Sequence, residues 1–91
     1  MTTRNGSAEW RGDIKNGSGT VTVGNGVFEG AYSYGSRFGE EGGTNPEQLI
    51  AAAQAACFTM ALTAILGAEG LAPESVRTNA IVHLQSNAAQ P

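Results

Sequence analysis

Arg37, Glu47 and Cys57 follow one another at ten-residue intervals, and their side chains are the ones in this chain best suited to chemistry. Cys57 is the only cysteine. A thiolate is a strong nucleophile and a thiol a weak one, so the surroundings of Cys57 decide what it does. Within the apolar run AAAQAACFTMAL it reads first as a small core residue, because free cysteine is among the most buried residue types. Apolar burial disfavours the thiolate. The helix dipole gives no help about twelve residues into a helix, since it acts only over the first turn. A reactive Cys57 therefore needs a cation from outside its own helix. Arg37, between Ser36 and Phe38 in a glycine-rich stretch, is the candidate. The ordinary reading is a solvated loop arginine. The functional one is a guanidinium turned inward, favouring the thiolate and donating hydrogen bonds to an incoming oxygen. Glu47 suits the first turn of a helix by dipole alone; alternatively, it holds Arg37 in place.

Spacing limits how these groups can meet. On one helix, Glu47 and Cys57 stand about 15 Å apart along the axis. A compact site then needs Arg37 to bridge the gap, or one residue to come from a neighbouring chain's helix. The two-chain site is the favoured expectation. Gln54 and Phe58 are the candidates for lining a substrate pocket. By itself Gln54 suits a bond across a helix pair equally well, because a buried amide needs partners. Phe58, Met60, Leu62, Ile65 and Leu66 read otherwise as core. His83 reads as an exposed histidine. GEEGGT lacks the GK[ST] ending of a phosphate loop, and no metal-ligand spacing is visible, so neither cofactor nor metal is expected.

The elements that position these residues follow from periodicity. Residues 8–15, AEWRGDIK, alternate in polarity and predict a half-buried strand. Asn16-Gly17 predicts a hairpin turn, TVTV at 20–23 the return strand, Asn25-Gly26 a second turn and VFEGAYSY a third strand. Residues 35–44, with four glycines, predict a loop without regular structure. Asn45 then suits an N-cap, Pro46 the first helical position, and Gln48 the third residue of a capping box. The helix continues to stops at Gly67 or Gly70 and spans roughly 22 residues and 33 Å. Residues 75–85 alternate again and predict a fourth strand. The fold class expected is α+β: an antiparallel β-meander, a long central apolar helix and a further strand. A second copy would cover the side of the helix that one small sheet leaves open.

Composition narrows the partners. The chain has 91 residues, a single domain's length at most, with five basic residues, net charge −3 and pI about 4.9. Scattered Arg4, Arg11, Lys15, Arg37 and Arg77 form no stripe able to neutralise several phosphates, which argues against nucleic acid. The first residues, MTTRNGSAEWRGD, contain no apolar signal region, and the apolar stretch 49–66 is interrupted by Gln54, Thr59 and Thr63. The expectation is a buried helix rather than a membrane span, in a reducing cytoplasm where a lone thiol stays reduced.

The segments AEWRGDIKNGSGTVTV and SRFGEEGGTNPEQLIAAAQAACFTMALTAILGAEGLAPESV carry the pattern R-F…G-T-N-P-E-x-L…A-A-C-F. They resemble the N-terminal part of the OsmC/Ohr family, closest to its osmotically inducible OsmC branch, over nearly the whole chain. The resemblance implies a thiol-dependent peroxidase acting in stress defence, on organic hydroperoxides and also on hydrogen peroxide. It implies an intertwined homodimer with two central helices and sites between subunits. By position, Cys57 matches the peroxidatic cysteine, Arg37 the arginine that activates it and Glu47 the glutamate that orients the arginine. Two differences accompany the match. Gln54 stands where the OsmC branch usually has histidine. The family's C-terminal portion, with its resolving cysteine, has no counterpart before Pro91, so an external dithiol such as dihydrolipoamide is the expected reductant. The competing expectation is a non-enzymatic dimeric stress protein or small apolar ligand-binding module with Cys57 inert in the core.

Overall fold

A computed structural model describes residues 2–85. The chain divides into two compact units, numbered 1–46 and 47–91.

The first unit is an antiparallel sheet in the order β1-β2-β3, formed by Gly6–Arg11, Ser18–Val23 and Phe28–Tyr32. Trp10 pairs with Gly19, and Gly19 with Tyr32, so one glycine lies between two aromatic residues on neighbouring strands. Their rings fill the space above it, edge to face with centroids 5.3 Å apart. A Cβ on Gly19 would come within 2.5 Å of the Tyr32 ring and 2.7 Å of Trp10, which is why no larger residue fits. The meander is the one expected, with shifted ends. β1 stops at Arg11 instead of continuing to 15, because Gly12 takes φ 94° and Asp13 organises the turn. The Asp13 carboxylate accepts from the Asn16 backbone and side-chain amides at 3.2 and 3.1 Å, and its carbonyl accepts from the Gly17 N–H at 2.9 Å.

Residues 35–44 are not wholly irregular. A short helix, α1, covers Tyr34–Phe38. Ser33 caps it: the Ser36 N–H donates to the Ser33 hydroxyl at 3.0 Å, and the Ser33 N–H donates to the Ser36 hydroxyl at 2.8 Å. This reciprocal box satisfies two end-of-helix donors and outweighs the local glycine content.

The second unit is built on α2, Pro46–Ala68, which starts at the expected proline and carries Glu47 in its first turn. It ends in a Schellman motif: Gly70 takes φ 81°, its N–H donates to the Gly67 carbonyl at 3.0 Å, and the Leu71 N–H donates to the Leu66 carbonyl at 2.9 Å. Ala51, Ala55, Thr59, Leu62 and Leu66 form a half-buried stripe at helical spacing. The Thr59 hydroxyl lies 2.7 Å from the Ala55 carbonyl oxygen and 2.6 Å from the Thr78 hydroxyl.

Two expectations for this unit are corrected. Residues 75–85 form no strand, since a strand exists only through a paired neighbour and no such ladder forms there. The period-two pattern is nevertheless real, because Val76, Thr78 and Ala80 are half-buried while the residues between them are exposed. Nor is α2 buried: none of its residues reaches that state, and Ile50, Phe58, Met60 and Ile65 are more than half exposed. By length and composition it could cross a membrane despite its polar interruptions, with a mean hydropathy of 2.0, a test that core helices of soluble proteins also pass. Among the described residues no hydrophobic side chain is buried.

Candidate active site

The helix α2 brings three of the five predicted site residues together. Gln54, Cys57 and Phe58 fall within little more than one turn, so they share a face. At 3.6 residues per turn, Ile50, Phe58, Met60 and Ile65 span an arc of about 160°, with Gln54 and Cys57 inside it. The thiol thus stands in the middle of the exposed apolar face, opposite the half-buried stripe. Cys57 is itself exposed, so the inert core cysteine is not what the structure contains. Gln54 is exposed, and Phe58 is 54% exposed. Glu47 is half-buried nearly three turns nearer the N-terminus, as its spacing required. An open groove of about 740 Å³ in this unit runs beside Ala55, Thr59, Met60, Val76 and Thr78; Cys57, Gln54 and Phe58 do not line it.

Arg37 belongs to the first unit. It sits on α1 rather than in a loop, with its N–H donating to the Ser33 carbonyl at 3.1 Å. Its guanidinium lies over the Phe38 ring, 5.2 Å from the centroid. The residue that fixes this short helix is Ser36, which is 5% exposed. Its hydroxyl accepts from the Ser33 N–H and lies 2.8 Å from the Thr44 carbonyl oxygen, tying α1 to the segment that leads into α2. The Asn45 side-chain amide donates to the Ser36 carbonyl at 2.9 Å. Sequence reasoning passed over Ser36, although Ser33-x-x-Ser36 is a readable capping pattern. It also passed over the convergence of Trp10, Tyr32, Tyr34 and Phe38 beside Arg37, which bound a pocket of about 250 Å³.

The family model for OsmC-like protein matches residues 39–90. That span contains Glu47, Gln54, Cys57 and Phe58 and begins two residues after Arg37. The chain belongs to the OsmC-like protein family. Two relatives, each called Peroxiredoxin OsmC, one from Escherichia coli strain K12 and one from Shigella flexneri, are 51% identical to it over 82 residues. The match takes in 89% of this chain and 57% of each relative, so the chain spans little more than half their length.

Ser36→Ala tests the support beneath Arg37. It removes a buried hydroxyl and leaves the Ser33 N–H and the Thr44 carbonyl without that partner, which costs about 1–3 kcal/mol. Urea denaturation should show that loss, and unchanged stability would mean these bonds do not hold α1 in place.

Proposed function

We propose that this chain carries the peroxide-reacting part of a cysteine-dependent peroxidase that reduces organic hydroperoxides, and hydrogen peroxide with them, to alcohols or water. The observation that carries the reading is an exposed thiol, Cys57, within a chain that is half identical to proteins called Peroxiredoxin OsmC. Peroxide chemistry needs a thiol that a small oxidant can reach, and a core cysteine would not provide one.

The step is a two-electron transfer. The Cys57 thiolate attacks one oxygen of the O–O bond, the bond breaks, and the leaving alkoxide takes a proton to become the alcohol. Sulfur keeps the other oxygen as a sulfenic acid. The oxidised sulfur is returned to the thiol by a dithiol reductant. One thiol of a dithiol such as dihydrolipoamide displaces water to give a mixed disulfide, and its second thiol releases Cys57. Arg37 has the role of holding the peroxide and favouring the thiolate, through a fork of five N–H donors. Glu47 has the role of orienting Arg37, and Gln54 and Phe58 that of flanking the substrate.

A homodimer is part of this reading. Cys57 and Gln54 lie amid exposed apolar side chains, and a second α2 laid on that arc would cover them and seat the thiol in a dry cleft. The reaction is expected in the cytoplasm, where dithiol reductants are available.

Two measurements test the proposal. Cumene hydroperoxide should be consumed over many turnovers with dihydrolipoamide present, Cys57→Ser should abolish consumption, and Arg37→Ala should lower its rate by about a hundredfold or more. Consumption that survives in Cys57→Ser would refute the reading. Sedimentation velocity should give twice the chain mass, and a monomer at all concentrations would remove the two-chain site.

A further inference from the structure

Asn-Gly occurs three times in the sequence, as Asn5-Gly6, Asn16-Gly17 and Asn25-Gly26, and all three asparagines are exposed. The pair is chemically unstable. The glycine nitrogen, unshielded by a side chain, can attack the asparagine side-chain carbonyl and close a five-membered ring. Since glycine follows each asparagine, the fold decides which of them reacts.

Asn16 is held against the reaction. Its side-chain amide donates to the Asp13 carboxylate at 3.1 Å, and its backbone N–H donates to the same carboxylate at 3.2 Å. The attacking nitrogen is engaged as well, because the Gly17 N–H donates to the Asp13 carbonyl at 2.9 Å. The space there is full: a Cβ on Gly17 would come within 2.5 Å of the Asp13 carbonyl oxygen and 3.0 Å of the Trp10 indole nitrogen. Asn5 is held by the sheet. Its carbonyl accepts from the Gly24 N–H at 2.8 Å, and Gly6 pairs with Val23 at the start of β1. The backbone across that peptide is extended and cannot fold back into a ring without opening the ladder. Asn25 has neither restraint. It lies in the four-residue turn between the paired Val23 and Phe28. Its side chain has no hydrogen-bond partner among the described residues. The Gly26 N–H meets the Val23 carbonyl at 3.3 Å, beyond the usual range for such a bond. Nothing lies within 4 Å of where a Gly26 Cβ would stand, and Val27 beside it is 86% exposed.

We propose that Asn25 is a site of spontaneous modification, converted to aspartate and isoaspartate in the folded protein ahead of Asn5 and Asn16. The Gly26 nitrogen loses its proton and bonds to Asn25 Cγ, and the side-chain nitrogen leaves as ammonia, giving a succinimide. Water then adds to one of the two ring carbonyls and opens the ring. Nothing is oxidised or reduced, and water is the only co-reactant. Opening at one carbonyl gives aspartate. Opening at the other gives isoaspartate, in which the main chain runs through the former side-chain methylene. Either product adds one negative charge to a chain of net charge −3, and isoaspartate also lengthens the β2–β3 turn by one backbone atom. The site stands without the peroxidase reading.

The test is to age the full chain in mildly alkaline buffer and to quantify the three sites over time by peptide mapping with fragment-ion assignment. Asn25 should convert first, with isoaspartate among its products. Asn16 should lag by about tenfold or more, the cost of breaking a charge-assisted hydrogen bond before the ring can close. Asp13→Ala should raise the Asn16 rate and leave the Asn25 rate as it was. In guanidinium chloride the three sites should convert at similar rates, since only the fold tells them apart. Asn5 or Asn16 reacting as fast as Asn25 in the folded chain would overturn the proposal. So would an Asn25 that stays intact while the denatured chain converts, an order that persists in denaturant, or an Asn16 rate indifferent to Asp13→Ala. The readout is chemistry in the turn and not turnover, so such a failure leaves the peroxidase reading standing.

Discussion

An apolar helix in water must be covered, and the organisation of this protein follows from how little of α2 its own chain covers. Over 23 residues the helix carries acidic groups only at its start and just beyond its end. One side is a half-buried stripe whose Thr59 meets Thr78. The other side exposes Ile50, Phe58, Met60 and Ile65. Burying an aliphatic or aromatic side chain of this size is worth about 1.5–3 kcal/mol, so the exposed arc holds a large unspent association energy. Cys57 lies within that arc. Whatever covers the helix also sets the dielectric and the water access around the thiol, so assembly and chemistry are one problem here.

The first unit solves a different problem, that of holding a flexible arginine on a short helix. Five residues cannot sustain a helix by propensity, because nucleation alone outweighs so few hydrogen bonds. α1 persists through side chains: Ser33 and Ser36 satisfy each other's backbone donors, and Ser36 bonds onward to Thr44. The guanidinium stacks on the neighbouring Phe38 ring, which limits its rotamers. Gly19 contributes from the middle strand by leaving room for Trp10 and Tyr32, and the aromatic wall beside Arg37 rests on that absent side chain.

Much of this was readable from residue types. The β-branched run 20–23, the turn at Asn25-Gly26, Pro46 as helix start and Gly70 as helix stop each carry a local signal that nothing overrides, whereas the first hairpin turns earlier than Asn16-Gly17, at Gly12 and Asp13. α1 was missed because glycine count was weighed above a two-serine cap. Residues 75–85 show the limit of periodicity: alternation foretold which side chains turn inward, but pairing depends on a neighbour that no local pattern contains. Cys57 was harder still. An alanine-rich, apolar context normally means core, and the same composition also describes a helix face awaiting a partner. Arg37, Glu47 and Cys57 stood out by residue type; Glu47 and Cys57 lie within the span that the family model matches, and Arg37 lies two residues before it.

The central claim is that Cys57 is a peroxide-reactive nucleophile, and intact-mass spectrometry of the full chain after brief treatment with excess organic hydroperoxide addresses it most directly. Under excess peroxide the account predicts rapid gain of two oxygens as Cys57 passes through the sulfenic to the sulfinic acid, localised to that residue and prevented by prior dithiol. A chain whose mass is unchanged under the same treatment, or whose added oxygen sits on methionine alone, would contradict it.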